Sequence, residues 1–368
     1  MDPMRNPYAP GAGTSPPELA GRDGVLAEAN VTLGRIRAGK PAKGQMLLGL
    51  RGVGKTVLLN RIERMARDHG YHGLLVEAPE DRRLPEFLVP PLRKVLLEID
   101  SGEKVRSAAR AAIRALRNFA SAFRVAVGEM EFGVEKARGV ADSGNMESDL
   151  TDLLVAVAEA ARESDTAVAL LIDEVQYLQP GDLAALIVAL HRIGQRELPL
   201  TIFGAGLPQL AGLAGEAKSY AERLFAYPDV GPLGTEAAKD ALRAPALRSG
   251  VEYDDDALEM IVTQTRGYPY FLQEWGSHAW RAALADHAGR CGARYGAGAR
   301  PSRRRVLPGA AGPAQSTREG VHARDGQPRC RSPPLGRHRR EDGRARGVRR
   351  SHSPQPHRQG DALQPRAR

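Results

Sequence analysis

The apolar residues of the chain up to about residue 230 follow two alternating spacings. Short apolar runs bounded by glycine or polar residues predict buried strands at residues 45–50, 73–79, 167–173 and 200–206. Apolar residues three or four positions apart predict helices from about residue 23, from 57, and over 84–99, 105–123, 149–162 and 181–195. This alternation predicts an α/β fold in which helices sandwich a parallel sheet.

Other segments depart from the alternation. Residues 1–18 are rich in proline and glycine, which predicts an extended arm. Residues 123–135 alternate around a glycine and predict a hairpin. From about Thr235 to His287 only helical spacing occurs, which predicts a small all-α lid. We therefore expect an arm, a core, a lid and a tail at residues 1–22, 23–232, 233–288 and 289–368.

The tail differs from the rest of the chain in composition. It holds 20 arginines, no lysine and five acidic residues, a formal charge of +15, whereas the whole chain carries +9. The preceding residues 1–288 therefore carry −6. Because the tail shows neither helical nor strand spacing, it cannot bury enough apolar surface to fold alone, and we expect it to be disordered.

Two explanations of the tail stay open. Out-of-frame translation of a GC-rich gene gives mainly arginine, glycine, proline and alanine, and the chain holds 45 arginines against 8 lysines. We favour a frameshift near 281–290 that replaced the native C-terminal part, because the composition changes abruptly there. The alternative is a genuine disordered tail that binds nucleic acid.

Composition also argues against several classes of protein. Hydrophobic residues make up 42% and charged residues 26%, which is typical of a chain with a folded core. No apolar run reaches 18 residues, and the N-terminus lacks the apolar segment of a signal peptide. The only two cysteines, Cys291 and Cys330, predict neither a disulfide framework nor a cysteine zinc site. We expect a cytoplasmic protein without membrane contact.

Residues 49–56, GLRGVGKT, form a glycine-rich loop of the Walker A pattern G-x-x-x-x-G-K-[ST] between a predicted strand and a predicted helix. The glycines let successive backbone N–H groups face a phosphate, and the helix N-terminus adds partial positive charge. Lys55 is expected to reach the β- and γ-phosphates and Thr56 to bind Mg²⁺. The alternative is a glycine-rich turn with one exposed lysine. The candidate binding residues are Gly49, Gly52, Val53, Gly54, Lys55, Thr56 and Val57.

The run LLIDEVQYL, residues 170–178, provides a second candidate, of the Walker B type. An apolar strand that ends in Asp173 would place this carboxylate beside Mg²⁺, and Glu174 would activate the attacking water. Adjacent acids at a strand end also occur as solvated turn residues. The glycine-rich loop earlier in the chain favours the functional interpretation.

Taken together, these motifs resemble the AAA+ P-loop ATPases. The resemblance covers roughly residues 5–285 and includes AGRD at 20–23 and GYPYFLQ at 267–273. The chain is most similar to bacterial and archaeal ATPases related to origin-recognition proteins and STAND-like switches, and it resembles a group of actinobacterial ATP-binding proteins. Relatives continue into a winged-helix domain, which this sequence does not show.

The resemblance implies roles for two arginines. Arg22 lies in the segment Gly21–Asp23, where the family lines the adenine pocket, although Asp23 is also a good helix N-cap. Arg223 lies near the position of an arginine finger that reaches the γ-phosphate of a neighbouring subunit. The alternative is a surface arginine paired with Glu222 or Glu216.

The sequence departs from the family pattern at two positions. The strand that should end in a polar sensor residue ends in Gly204, Ala205 and Gly206. Tyr270 follows GYP where many members carry a sensor arginine, and Arg266 is the nearest substitute. We interpret Tyr270, like the other lid aromatics, as core packing.

The resemblance and the motifs predict an ATP-binding protein that uses Mg²⁺ and hydrolyses ATP slowly, coupled to movement of the lid and of an unidentified protein partner. We expect Glu174, Lys55 and Arg223 to act in catalysis and no metal besides Mg²⁺. A homo-oligomer is possible. The alternatives are a nucleotide-dependent switch without hydrolysis and, if the native C-terminus is a winged helix, a DNA-binding replication or regulatory ATPase.

Overall fold

The computed structural model describes residues 3–11, 14, 16–99, 106–125, 139–291 and 304–306. The strands are β1 (Gly44–Leu48), β2 (Tyr71–Glu77), β3 (Ala167–Asp173), β4 (Leu200–Gly206), β5 (Phe225–Ala226), β6 (Val251–Tyr253) and β7 (Arg304–Val306). The first helices are α1 (Asp23–Arg37), α2 (Lys55–Asp68), α3 (Leu84–Ile99), α4 (Arg106–Ala122), α5 (Met146–Glu163) and α6 (Pro180–Gln195). They are followed by α7 (Leu210–Ala217), α8 (Ala221–Leu224), α9 (Thr235–Arg248), α10 (Asp255–Thr265) and α11 (Pro269–Cys291).

Five strands form one parallel sheet in the order β2-β3-β4-β1-β5. The central strands β3 and β4 are buried at every position, because helices cover both of their faces. Their continuous apolar runs are the reason that the predicted bounds of both strands are confirmed. Since all five strands run the same way, the residues that follow β1, β3 and β4 meet at one edge of the sheet.

Two hydrophobic clusters lie on opposite faces of this sheet. Alternate residues of β3 separate between them, Leu170 packing with α3 to α6 and Leu171 packing with α1 and α2. Local signals fix where these helices begin: the Asn145 side chain accepts a hydrogen bond from Ser148 N at the start of α5, and α6 begins with Pro180. The predicted parallel sheet with helices on both faces is confirmed.

The lid forms a third hydrophobic cluster from α9, α10, α11 and β6. The prediction of an all-α lid is wrong in one detail, because β6 lies inside it and pairs in parallel with β7. Val251 and Tyr253 of β6 are buried and Glu252 is not, but three residues are too few for an alternating pattern to stand out. Tyr8 of the arm also belongs to this cluster, so the arm packs against the lid.

Some predicted segments fall largely outside the described residues. Of the predicted hairpin at 123–135 only the first three residues are described, and of the tail only 289–291 and 304–306. Within the described part of the chain, no helix combines the length and the apolar character needed to cross a bilayer.

Candidate functional site

The glycine-rich loop lies at the edge of the sheet where the strands end, and it is tied to its neighbours through the backbone. Gly49 N donates to Gly206 O of β4 over 3.1 Å, and Leu48 O accepts from Val230 N over 2.6 Å. A Cβ on Gly49 would overlap the Val230 carbonyl oxygen, so this position accepts only glycine. The start of the loop is therefore held by the sheet itself.

The conformation of the loop requires glycine at two further positions. Gly52 and Gly54 have φ of 82° and 93°, in the left-handed region that other residues rarely adopt. Gly54 is the N-cap of α2, whose first turn contains no acidic residue. The free N–H groups and the positive end of the helix dipole consequently face the site, and the first turn of this helix contributes no carboxylate of its own, an arrangement suited to binding an anion.

Lys55 is buried inside the loop rather than exposed. Its side chain is 6% exposed, and Nζ donates to Gly49 O over 2.9 Å and to Leu50 O over 3.0 Å. Burial lowers the pKa of the ammonium, and the nearby Glu174 and Asp173 carboxylates oppose this shift. The alternative of a turn with an exposed lysine is therefore wrong.

A short hydrogen bond joins the two sequence motifs at the start of α2. Thr56 Oγ1 donates to Asp173 Oδ2 over 2.6 Å, although 117 residues separate them in the chain. The other oxygen of Asp173, Oδ1, accepts from the backbone N–H of Glu174 over 2.9 Å. A hydroxyl and a carboxylate are oxygen donors of the kind that Mg²⁺ prefers. Among the described residues, no group of three His, Cys, Asp or Glu side chains forms another candidate metal site.

Glu174 follows directly in a left-handed backbone conformation, with φ 53° and ψ 39°. This conformation is uncommon for glutamate and turns the side chain away from the course of β3. The carboxylate oxygen Oε2 accepts a hydrogen bond from Gln176 Nε2. Glu174 also lines the cavity described next.

A cavity of about 290 Å³ lies between the glycine-rich loop, the arm and the lid. One end is polar and is formed by the loop with Lys55, Thr56 and Glu174. The other end is mainly apolar, and it includes residues of the AGRD and GYPYFLQ segments. Its lining residues from the arm and the lid include Ala9, Pro16, Leu19, Ala20, Leu233, Ala241, Leu272 and Gln273.

The arm is anchored in the lid through several contacts. The buried Tyr8 hydroxyl donates to Leu242 O over 2.6 Å, and burial raises the pKa of this hydroxyl far above its ordinary value. Gly276 leaves the space for the Tyr8 ring, since a Cβ there would lie 2.7 Å from it. Ala9 N donates to Gln273 Oε1 over 3.2 Å. These contacts fix the part of the arm that lines the cavity.

Arg22 lines the cavity, and its guanidinium is engaged by the backbone. It donates to Val53 O over 3.1 Å and to Gly231 O over 2.5 Å. Burial lowers its pKa and the charge of Asp229 opposes this shift. Arg22 thus joins the glycine-rich loop to the segment that precedes the lid, which is a clamping contact.

A match to a known family follows the same part of the chain. The sequence profile of the AAA ATPase domain matches residues 18–203, just over half of the sequence. The chain belongs to the AAA ATPase domain family. This assignment covers the glycine-rich loop and Asp173, whereas the whole of the lid lies beyond the matched residues.

Several solved structures resemble this AAA ATPase, while a search of curated proteins finds no significant match. The Walker-type ATPase of Pyrococcus abyssi shares 16% identity over 76% of each chain, with a TM-score of 0.45. Cdc6p of Pyrobaculum aerophilum shares 15% identity over 78% of this chain and 67% of that chain, with a TM-score of 0.49. Orc1 of Aeropyrum pernix, solved in complex with DNA, shares 15% identity over 74% and 62%, with a TM-score of 0.44.

Two lid residues of this AAA ATPase differ from their predicted places. The prediction that Tyr270 only packs in the core is wrong, because Tyr270 lines the cavity and donates its backbone N–H to Gly52 O over 3.2 Å. Its ring is 42% exposed, next to Phe271. Arg266 ends α10 in an exposed position and does not line the cavity, so it does not replace a sensor arginine there.

Arg223 lies away from the site of its own chain. It is exposed on α8, directly before β5, whose first residue pairs with Gly44 at the start of β1. The length of β1, roughly 15 Å, separates that edge from the glycine-rich loop. In the described part of the AAA ATPase, Arg223 forms no ion pair with Glu222 or Glu216.

The structure adds residues that the sequence did not single out as site residues. Arg51 of the glycine-rich loop donates to the Tyr177 hydroxyl over 2.7 Å and lines the cavity. Gln176 contacts Glu174, and Gln273 holds the arm. Position within the loop pointed to Arg51, the DEVQ run pointed to Gln176, and the GYPYFLQ segment contained Gln273.

Proposed function

We propose that this AAA ATPase binds ATP together with Mg²⁺ and hydrolyses it slowly. The hydrogen bond between Thr56 and Asp173 supports this proposal most directly, because it brings the two motifs into one site. Around it lie a buried ammonium, a helix N-terminus without acidic residues and a glutamate that lines the same cavity. This set of groups suits phosphoryl transfer to water.

Thr56 and Asp173 would hold the metal, since both present oxygen atoms at the loop. Mg²⁺, when bound, neutralises negative charge on the β- and γ-phosphates. Lys55 and the N–H groups of the glycine-rich loop would bind the phosphates, and the Lys55 ammonium would stabilise the charge that develops during transfer. Glu174 would accept the proton of the attacking water as general base.

The apolar end of the cavity would take the base and the ribose. The arm contributes one wall and the lid another, and the two are joined by Tyr8 and Gln273. A nucleotide in this cavity would therefore touch core, arm and lid together. We propose that binding moves the lid against the core, and that a protein partner responds to this movement. The division at 1–22, 23–232, 233–288 and 289–368 is part of this proposal.

The two alternative functions are a nucleotide-dependent switch and a DNA-binding ATPase, and a homo-oligomer is compatible with either. A nucleotide-dependent switch without turnover is favoured by the end of β4, where Gly204 and Gly206 offer no polar side chain. Arg223 favours a homo-oligomer, because it is exposed and could complete only the site of a neighbouring chain. The DNA-binding alternative depends on residues beyond the lid and stays a prediction.

The test measures MgATP binding by calorimetry and phosphate release on the full chain. We expect binding that weakens when EDTA removes the metal, and turnover that is slow but measurable. Asp173→Asn should lower turnover on the order of a hundredfold, because the metal loses a charged ligand. Exposed Asp152→Asn on α5 is the matched control and should change nothing.

Each outcome separates the alternatives. Binding without turnover would exclude the enzyme and leave the switch. Absence of ATP binding would contradict both. Specific activity that rises with protein concentration would support an oligomer in which Arg223 acts between chains.

A further inference from the structure

The end of β4 is made of glycine, alanine and glycine, and the reason lies in the space beside it. At Gly206 a Cβ would lie 2.7 Å from Gln176 Oε1 and 2.9 Å from Leu210 Cδ2. The backbone of Gly206 is not in the left-handed region, so its conformation does not require glycine. Glycine is required there because the Gln176 amide fills the space.

The Gln176 amide makes two hydrogen bonds from this position. Its Nε2 donates to Glu174 Oε2, and its Oε1 accepts from Leu207 N over 3.1 Å. Because both sides of the amide are engaged, its orientation is fixed. Gln176 therefore joins the carboxylate of Glu174 to the end of β4.

The end of β4 is in turn joined to the glycine-rich loop. Gly206 O accepts from Gly49 N over 3.1 Å. A continuous path of hydrogen bonds and backbone thus runs from the loop through Gly206 and Leu207 to Gln176 and Glu174. The glutamate is placed relative to the phosphate-binding backbone by this path.

Glu174 is held by two hydrogen bonds, one at its backbone N–H and one at its carboxylate. Its left-handed conformation is held by the hydrogen bond from its own N–H to Asp173. Among the described residues, Gln176 is the side chain that donates a hydrogen bond to the Glu174 carboxylate. With Oε2 occupied in this way, the other oxygen is left to accept a proton.

We propose that Gln176 is the positioning residue of Glu174. Gln176 follows β3, and its amide takes the place of the polar side chain that is missing at the end of β4. The proposal rests on the proposed ATP hydrolysis. Gln176 touches neither the reacting atoms nor, through its side chain, the glycine-rich loop. It acts by fixing the orientation of the carboxylate, so its loss should lower kcat and leave ATP binding intact.

The experiment compares four full-length proteins: the wild type, Gln176→Ala, Gly206→Asn and the double variant. Gln176→Ala should lower kcat on the order of tenfold with KM for ATP unchanged. Gly206→Asn alone should also lower kcat, because the new side chain overlaps the Gln176 amide. In the double variant the asparagine amide occupies the vacated space, and kcat should exceed that of either single variant. Exposed Gln209→Ala on the same segment is the control and should equal the wild type.

The proposal is overturned if Gln176→Ala keeps or raises kcat, or if the double variant is no better than the poorer single variant. A structural role alone would lower the melting temperature without this reciprocal rescue of kcat.

Melting temperatures test the position of the Gln176 amide beside Gly206 without relying on ATP turnover. Gly206→Ala should lower the melting temperature in the wild type and lower it less in the Gln176→Ala background, because the overlap with Oε1 is gone. Equal losses in both backgrounds would overturn the proposal. A wild type that does not hydrolyse ATP would instead refute the proposed function, and the melting data would still decide the placement of Gln176.

Discussion

The two ends of the cavity are built in different ways. At the loop end, the charged groups come from two short contiguous motifs and are fixed by backbone hydrogen bonds to the sheet. At the lid end, the walls come from segments more than 200 residues apart in the chain, and they meet through Tyr8 and Gln273. The loop end is thus a part of the core, whereas the lid end requires that the arm is bound to the lid through Tyr8 and Ala9.

This difference predicts which property each end controls. Changes at the loop end should alter turnover and leave the stability of the fold nearly unchanged, because the groups are polar and lie at the sheet edge. Changes at the lid end should alter stability and affinity together, since the same contacts hold the lid and form the walls.

The largest effect is expected at Glu174. Glu174→Gln keeps the shape of the side chain but removes the base, so kcat should fall by about 10²- to 10⁴-fold. Calorimetry should show MgATP affinity within about threefold of the wild type, because the phosphates are bound by other groups. A melting temperature lowered as much as by a core substitution would break the distinction between the two ends.

The next effect is expected at Tyr8. Tyr8→Ala removes a buried ring and should lower the free energy of unfolding by about 3 kcal/mol, measured by urea denaturation. ATP affinity should fall with it, since the arm loses its place in the cavity wall. Tyr8→Phe keeps the ring and should cost only about 1 kcal/mol, the worth of the hydrogen bond to Leu242 O. Full stability of Tyr8→Ala would show that the arm does not depend on this anchor.

A smaller effect is expected at Arg22, which joins the ends. Arg22→Gln loses one or both hydrogen bonds to the Val53 and Gly231 carbonyl oxygens. Because the side chain is partly exposed, the free energy of ATP binding should weaken by only about 1 kcal/mol, which corresponds to roughly a fivefold loss of affinity. Arg22→Lys keeps the charge and should recover part of the affinity. A loss confined to kcat would assign Arg22 to catalysis instead.

The smallest effect is expected at Arg223. Arg223→Ala should change ATP affinity by less than about twofold, because the residue lies at the edge of the sheet opposite to the loop of its own chain. If chains associate, turnover should fall at high protein concentration only. A loss of turnover in a dilute monomer, measured at the same stability, would contradict this placement.

The part of the fold that the sequence predicted is the part with local signals. The bounds of β3 and β4 follow from apolar runs that are buried on both faces, and the glycine-rich loop follows from its spacing. The apolar spacing predicts the start of α6 at residue 181, within one residue of the observed start at Pro180.

What could not be predicted depends on contacts distant in the chain. Tyr8 meets Leu242 across 234 residues, and an arm rich in proline and glycine carries no spacing that would reveal it. Gln176 stands in a recognisable run, but its purpose becomes visible only beside Gly206, where the missing Cβ leaves room for it. The sequence of the lid predicts Tyr270 as a core aromatic, and only the structure shows that it lines the cavity beside Gly52.

The seating of Tyr8 has a mechanical consequence for the lid. The chain crosses between core and lid twice, once through the arm before α1 and once through the segment before α9. A body attached at two separate points rotates only about the axis that joins them, whereas a body attached at one point also rotates about other axes. The arm therefore limits the lid to one direction of opening. A single proteolytic cut between Tyr8 and Asp23 would remove this limit and allow the lid to twist against the core, without removing any residue.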